Sequence, residues 1–156
     1  MKKTWLIIFG SFIALLILIQ FFQPGKNDEI INPQDDIVFQ LDMPTTVKKA
    51  LVNACYDCHS DKTRYPFYGK VAPVSWLLAG HIRNGKEQLN FSRWASYDRK
   101  TSIKLLTAVC DEITTGEMPL KGYVYMHSRA VLNDKQIEEI CQWTEEAAEK
   151  VMESGK

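Results

Sequence analysis

The stretch Cys55-Tyr56-Asp57-Cys58-His59 holds two cysteines three residues apart and a histidine directly after the second cysteine. Cysteines at this spacing on a helical turn share one face, so both thiols can reach the two vinyl groups of one haem. The histidine then lies under the ring, where its imidazole can bind the iron as the proximal ligand. C-x-x-C-H is the attachment signature of c-type haem. We therefore predict one haem c, held by thioether bonds from Cys55 and Cys58 and ligated by His59.

Three other uses of these cysteines are open. A structural zinc site needs a second ligand pair, and the remaining cysteines, Cys110 and Cys141, stand alone in the sequence. A thioredoxin-like redox pair expects a βαβ context, whereas the region around Cys55 is predicted to be helical. A plain pair of buried thiols is the simplest alternative. Haem attachment is favoured because a membrane-targeting segment precedes the motif.

That segment covers the first 22 residues, which are almost wholly apolar after Lys2 and Lys3. An apolar run of about 18 residues is close to the length that crosses the hydrocarbon core as a helix. The run ends in Phe21, Phe22, Gln23 and Pro24 without an A-x-A cleavage site. We therefore expect residues 1–22 to form an uncleaved transmembrane anchor rather than a cleaved signal peptide or a buried helix.

The two lysines also indicate the orientation of the chain. Basic residues next to a transmembrane helix tend to stay in the cytoplasm, which sends the remainder to the other side. Bacteria attach haem covalently on that outer side, so the anchor and the motif agree. The expected location is the bacterial inner membrane, crossed once, with the C-terminal domain on the periplasmic or extracytoplasmic side.

Beyond the anchor we expect a flexible tether over 23–42 and a haem c-binding domain over 43–153. The tether is mostly polar, and a coil of this length spans roughly 25 Å. Strand patterns are nearly absent, so the predicted fold class is all-α: a transmembrane helix followed by a small cytochrome c-like helical domain that encloses one haem c. A capping box is expected at Asn133 and Gln136. The predicted helices are Pro44–Cys55, Val74–Lys86, about Ser96–Thr115 and Asn133–Met152, with loops over 61–73 and 117–132.

The layout resembles class I cytochrome c domains, which have a helix before the attachment motif, a methionine in a later loop and a closing C-terminal helix. A closer similarity, over about residues 40–150, is to the bacterial haem-binding domain family of small single-haem proteins. This resemblance implies haem c binding outside the cytoplasm and leaves the physiological partner open. It rests on Cys55-Tyr56-Asp57-Cys58-His59-Ser60, Arg64-Tyr65-Pro66, Ala72-Pro73-Val74-Ser75-Trp76-Leu77, Leu89-Asn90-Phe91-Ser92 with Trp94, and Gly116-Glu117-Met118-Pro119.

The second iron ligand is predicted to be Met118. It lies 59 residues after His59, far enough along the chain to return across the opposite face of the haem, and Pro119 stiffens its loop. A thioether favours ferrous iron and raises the reduction potential, as suits an electron carrier. His127, His81, or water are the alternatives, and a gap-filling core methionine is the ordinary role for Met118.

Three further side chains, Arg64, Trp76 and Trp94, are candidates for the haem edge or a propionate, although ordinary packing or surface placement is the simpler explanation for each. Cys110 and Cys141 fall on the core faces of neighbouring predicted helices. They can form the chain's one remaining disulfide, but we expect two buried thiols, since free cysteine is a common small core residue.

The predicted function is electron transfer between redox proteins of a membrane electron-transfer chain, not enzymatic catalysis, because no second constellation of catalytic residues is evident. A haem-based sensor or small-ligand binder with an open sixth iron site is the alternative. A peroxidase, with His81 or His127 as the distal acid–base group, is a third. The formal net charge is zero, so there is no basic footprint for nucleic acid.

Overall fold

The computed structural model describes residues 2–30 and 32–154, and over these residues the chain is all-helical without a β-strand. Eight α-helices are joined by short 3₁₀ turns, and one isolated bridge pairs Asp28 with Lys62. The helices are α1 Lys2–Ile19, α2 Ile37–Gln40, α3 Thr45–Ala54, α4 Tyr56–His59, α5 Val74–Gln88, α6 Arg99–Thr114, α7 Lys121–Met126 and α8 Asp134–Glu153. The 3₁₀ turns are Pro33–Asp35, Phe67–Lys70, Phe91–Ser96 and Ser128–Ala130.

Helix α1 buries none of its residues in the protein. Among the described residues it is the one helix long and apolar enough to cross a membrane. An apolar helix whose side chains are left largely uncovered by the protein is what a single membrane span would present. The predicted boundaries of anchor, tether and domain remain predictions.

The core of the domain lies where α3, α6 and α8 meet, with α6 and α8 forming the most extensive helix pair. Helix α8 starts with the predicted capping box, in which Asn133 and Gln136 satisfy each other's backbone N–H groups. Its apolar residues recur at helical spacing, and the centre of this face, at Ile140, Trp143 and Ala147, is buried in the core. The central buried side chains are Ile37, Val47, Leu51, Phe91, Trp94, Leu106, Ile113, Ile140 and Trp143.

A disulfide joins α6 to α8 between Cys110 and Cys141, whose Cα atoms are 4.9 Å apart. The expectation of two buried thiols is therefore wrong. The two residues do lie on facing helices as predicted. They lie near the rim of the helix pair and keep partial exposure, so they are not interior filling.

Two irregular segments are more ordered than expected. The predicted loop 117–132 contains α7 and a 3₁₀ turn, and these elements pack together beside α3. The segment 23–42, predicted to be a flexible tether, is attached to the domain: Ile37 is fully buried, and Asn27 donates from Nδ2 to the carbonyl of Ser60 at 2.8 Å. The backbone N–H of Asn27 also donates to the hydroxyl of Tyr65 at 2.7 Å.

Candidate haem site

The attachment motif forms the short helix α4, which follows α3 after a break at Cys55. Tyr56 stacks on Phe91 with the ring centroids 5.1 Å apart, and its hydroxyl donates to Asp36 at 2.7 Å. These contacts place one side of α4 against the core. Cys55 and Cys58 are both free thiols with partial exposure, so neither sulfur is committed to a disulfide.

Helix α5 approaches α4 closely at Gly85. A Cβ atom at this position would lie 2.8 Å from the backbone oxygen of Cys58, which is closer than real Cβ contacts. A side chain at residue 85 would therefore push the two helices apart. Glycine here lets the backbone of α5 lie directly against the second attachment cysteine.

His59 is oriented by the backbone at the end of α5. Its Nδ1 lies 3.0 Å from the carbonyl oxygen of Leu89, so the protonated Nδ1 donates there and Nε2 is left as the metal-binding nitrogen. Burial lowers the pKa of His59, although the carbonyls of Leu89 and Gly85 act in the opposite direction. A neutral imidazole fixed through Nδ1 is the form that binds iron.

Burial also raises the pKa of both cysteines, that of Cys55 to about 12 and that of Cys58 to about 11. The neighbouring thiol adds to the effect at Cys55, and Asp57 adds to it at Cys58. Thiols in this state are almost fully protonated at neutral pH and are slow in thiol–disulfide exchange. The arrangement does not favour a thioredoxin-like redox pair.

The zinc alternative requires further ligands near the two thiols. Within residues 2–30 and 32–154, no group of three histidine, cysteine or acidic side chains is placed to hold a metal ion. The sulfurs of Cys110 and Cys141 are bonded to each other. What the motif does have is two free thiols, an oriented imidazole and a close glycine contact, and these residues fit a covalently held haem.

Comparison with known proteins shows which family the chain belongs to. The model of the haem-binding domain family matches residues 14–146, which is most of the chain. The chain belongs to the haem-binding domain family. No curated protein and no solved structure gives a significant match.

Family membership makes this a haem-binding protein. The individual roles proposed for Cys55, Cys58, His59 and Met118 remain predictions. Met118 lies at the end of the turn after α6, partly buried against the core cluster that also contacts Cys55. Its backbone N–H donates to the carbonyl of Glu112 at 3.1 Å.

The three predicted haem-edge residues lie in three different places. Arg64 is close to the motif, where its Nε donates to Asp57 at 2.9 Å and its terminal nitrogen donates to the carbonyl of Val52. Trp94 is buried in the core and packs edge-on against Tyr97. Trp76 lies at the start of α5 beside the end of α1. Haem contact by these residues remains a prediction.

Asp57 is a site residue that the sequence analysis missed. Its carboxylate accepts hydrogen bonds from Arg64 and from the hydroxyl of Tyr123 at 2.6 Å, and Arg129 lies 3.5 Å away. Burial alone would raise the pKa of Asp57, but the hydrogen bonds from Arg64 and Tyr123 outweigh it and hold the pKa below its ordinary value. This carboxylate ties α4 to α7. The signal available in the sequence was an acidic residue inside the motif, between Tyr56 and Cys58.

Asp61 is a second missed residue, two positions after His59. Its side chain is almost fully buried and accepts from Asn90 at 2.8 Å, from Arg93 at 2.7 Å and from Lys86 at 2.7 Å. Burial alone would raise its pKa, but the hydrogen bonds from these three side chains hold it below the ordinary value. The network fixes the loop after the motif to α5 and to the turn that follows Leu89.

A cluster of aromatic side chains lies on the other side of α4. His127 stacks on Tyr123 with centroids 4.2 Å apart, and the hydroxyl of Tyr68 lies 3.4 Å from the imidazole nitrogens. Burial and the nearby carboxylate of Asp57 raise the pKa of both tyrosines. His81, the other candidate histidine, is exposed on α5. His127 is therefore better placed beside the attachment site than His81.

Proposed function

We propose that this chain is a membrane-anchored monohaem c-type cytochrome that carries electrons between redox proteins outside the cytoplasm. The observation that carries the proposal is the geometry of the attachment segment: two free thiols, and a histidine whose Nδ1 is held by the carbonyl of Leu89. Family membership supports haem as the ligand. Haem, when bound, supplies an iron that alternates between two oxidation states.

The residues of the chain have distinct roles in this proposal. Cys55 and Cys58 would hold the ring through thioether bonds, and His59 would ligate the iron through Nε2. Met118 is the proposed second ligand, and its thioether would raise the reduction potential. The Asp57 and Asp61 networks hold the ligand-bearing segments in place, so that little reorganisation accompanies a change of charge at the iron. The proposed role is electron transfer without catalysis of a chemical reaction.

The membrane location is part of the same proposal. Helix α1 has the length and composition of a single span, and Lys2 and Lys3 precede it. The positive-inside tendency supports an orientation in which the haem domain lies on the periplasmic or extracytoplasmic side of the bacterial inner membrane. Redox proteins of a membrane electron-transfer chain are then the proposed partners.

A small-ligand sensor is the second candidate, and one observation favours it. Tyr68, Tyr123 and His127 form a polar aromatic cluster beside Asp57 of the motif, and such side chains can hydrogen-bond a small ligand at an open iron site. The two functions differ in the sixth coordination position of the iron, which is open in a sensor and occupied by a protein ligand in an electron carrier.

The deciding experiment is an optical titration of the reduced, full-length protein with carbon monoxide. An electron carrier with two protein ligands gives a low-spin spectrum that carbon monoxide does not change. Rapid binding of carbon monoxide to the unmodified protein would favour the sensor over the electron carrier.

A further inference from the structure

The end of the apolar helix is attached to the haem domain by a reciprocal hydrogen-bond pair. The side-chain nitrogen of Gln20 donates to the carbonyl of Ala72 at 3.1 Å, and the backbone N–H of Ala72 donates to the side-chain oxygen of Gln20 at 2.9 Å. The same nitrogen donates to the carbonyl of Leu16 within α1 at 2.8 Å. One glutamine thus connects the last turn of α1 to the residues just before α5.

A second contact joins the same two segments. The indole N–H of Trp76 donates to the carbonyl of Phe22 at 2.6 Å. Trp76 lies in the first turn of α5, so the two contacts are separated along both segments and together restrict rotation of the domain about the end of α1. A free tether would make neither contact.

Exposed apolar side chains surround this junction. Phe21 is 80% exposed and Phe22 is 66% exposed, while Val71 and Trp76 keep 50% and 41% of their surface. Each of these residues is adjacent in sequence to a residue of the junction or belongs to it. Large apolar side chains grouped in this way mark a surface that is covered by something other than water.

The position of the junction identifies what covers it. The 18 residues of α1 span about 27 Å, which matches the hydrocarbon core of a bilayer, so Gln20 to Phe22 lie at the membrane–water interface. Tryptophan and tyrosine are enriched at that level, with the ring in the apolar region and the polar group satisfied. The carbonyl of Phe22 satisfies the indole N–H of Trp76 here.

We propose that the start of α5 is docked on the phospholipid interface, with Phe21, Phe22, Val71 and Trp76 in contact with lipid, and that Gln20 fixes the haem domain in one orientation on the membrane. This inference rests on the proposed membrane anchoring by α1. The haem domain then presents one constant face to its partners, instead of rotating freely about the end of α1.

The test uses the full chain labelled with ¹⁵N-tryptophan in phospholipid nanodiscs, reduced under carbon monoxide so that bound iron is diamagnetic. Lipid carrying a nitroxide near the headgroup broadens only those indole signals that lie at the interface. The Trp76 signal is assigned by Trp76→Phe. We expect strong broadening at Trp5 and Trp76, and none at the buried Trp94 and Trp143.

Broadening of Trp5 without broadening of Trp76 would overturn the docking while leaving the anchor intact. If Trp5 also stays sharp and the chain does not co-sediment with vesicles, the anchoring itself is wrong and the docking fails with it. Gln20→Ala should reduce the broadening of Trp76 at least twofold. Gln23→Ala is the matched control and should leave it unchanged, because the side chain of Gln23 makes no hydrogen bond to the haem domain within the described part of the chain.

Discussion

At the scale of single residues, the tightest backbone packing at the site is between Gly85 of α5 and Cys58 of α4. We expect Gly85→Ala to lower the free energy of unfolding by about 1–3 kcal/mol, because the new methyl group meets backbone that cannot rotate away. Denaturant unfolding of the haem-containing protein measures the change. The fraction of chain that carries haem should fall as well, since Cys58 shifts.

The same helix provides a matched control. A Cβ atom at Gly80 would meet nothing within 4 Å, so Gly80→Ala changes the helix propensity of α5 without a clash. This variant should be unchanged or more stable by about 0.4–1 kcal/mol. If Gly85→Ala behaves like Gly80→Ala, the close approach of α5 to α4 is not a feature of the folded protein.

Whether Met118 ligates the iron decides between an electron carrier and a sensor. Met118→Ala should open the sixth position, abolish the weak near-infrared sulfur-to-iron band of the oxidised protein, and allow carbon monoxide to bind the reduced protein. Met126→Ala is the control, because Met126 is exposed on α7 and should leave both properties unchanged. An unaltered spectrum in Met118→Ala would assign the position to another group, with His127 as the next candidate.

The attachment residues could be proposed from the sequence because the chemistry is local: two thiols and an imidazole within five positions are sufficient to define an attachment motif. The residues that hold the motif in place could not. Asp57 and Asp61 act through Tyr123, Lys86 and Arg93, which are 25 to 66 residues away, and no local pattern pairs them. Tertiary contacts of this kind become visible only when the helices are assembled.

At the scale of elements, the helices with strong periodicity and clear caps lie close to their predicted bounds. Helix α8 begins after Asn133 as its capping box indicates. Helix α7 was not predicted, because its six residues are too few to show a helical period. Pro119 before it and Gly122 within it also indicate a loop. In the segment 23–42, polar residues such as Asn27 and Glu29 bind groups of the domain, and no local pattern in the sequence indicates these contacts.

The disulfide between α6 and α8 is expected to stabilise the domain by closing a loop of 31 residues in the unfolded chain. Replacing both cysteines, in Cys110→Ser/Cys141→Ser, should lower the free energy of unfolding by about 3 kcal/mol. Reduction of the wild-type protein should lower the thermal midpoint in the same direction, and should leave the double variant unaffected.

Thiol counting checks the pairing directly. When the haem-containing protein is unfolded without reductant and alkylated, Cys110 and Cys141 should remain unmodified until reductant is added. Immediate alkylation of both residues would restore the interpretation that they are two buried thiols.

At the scale of the whole molecule, the account requires that the apolar helix stays attached to the haem domain. Protein extracted from the membrane fraction should retain residues 2–22 when its N-terminus is sequenced. A matched chain in which a cleavable leader replaces residues 1–22 should be recovered in the soluble fraction with its haem. A wild-type N-terminus at Pro24 or later would show that the segment is a signal peptide.

The central claim is that haem is bound covalently through Cys55 and Cys58, and acid-acetone extraction of the purified full chain tests it most directly. Haem that is held by thioether bonds stays with the denatured polypeptide, and the intact mass of the chain exceeds that of the sequence by one haem. Cys55→Ser/Cys58→Ser should lose this adduct. Release of all haem into the organic phase, from a chain whose Cys55 and Cys58 are unmodified, would contradict the account.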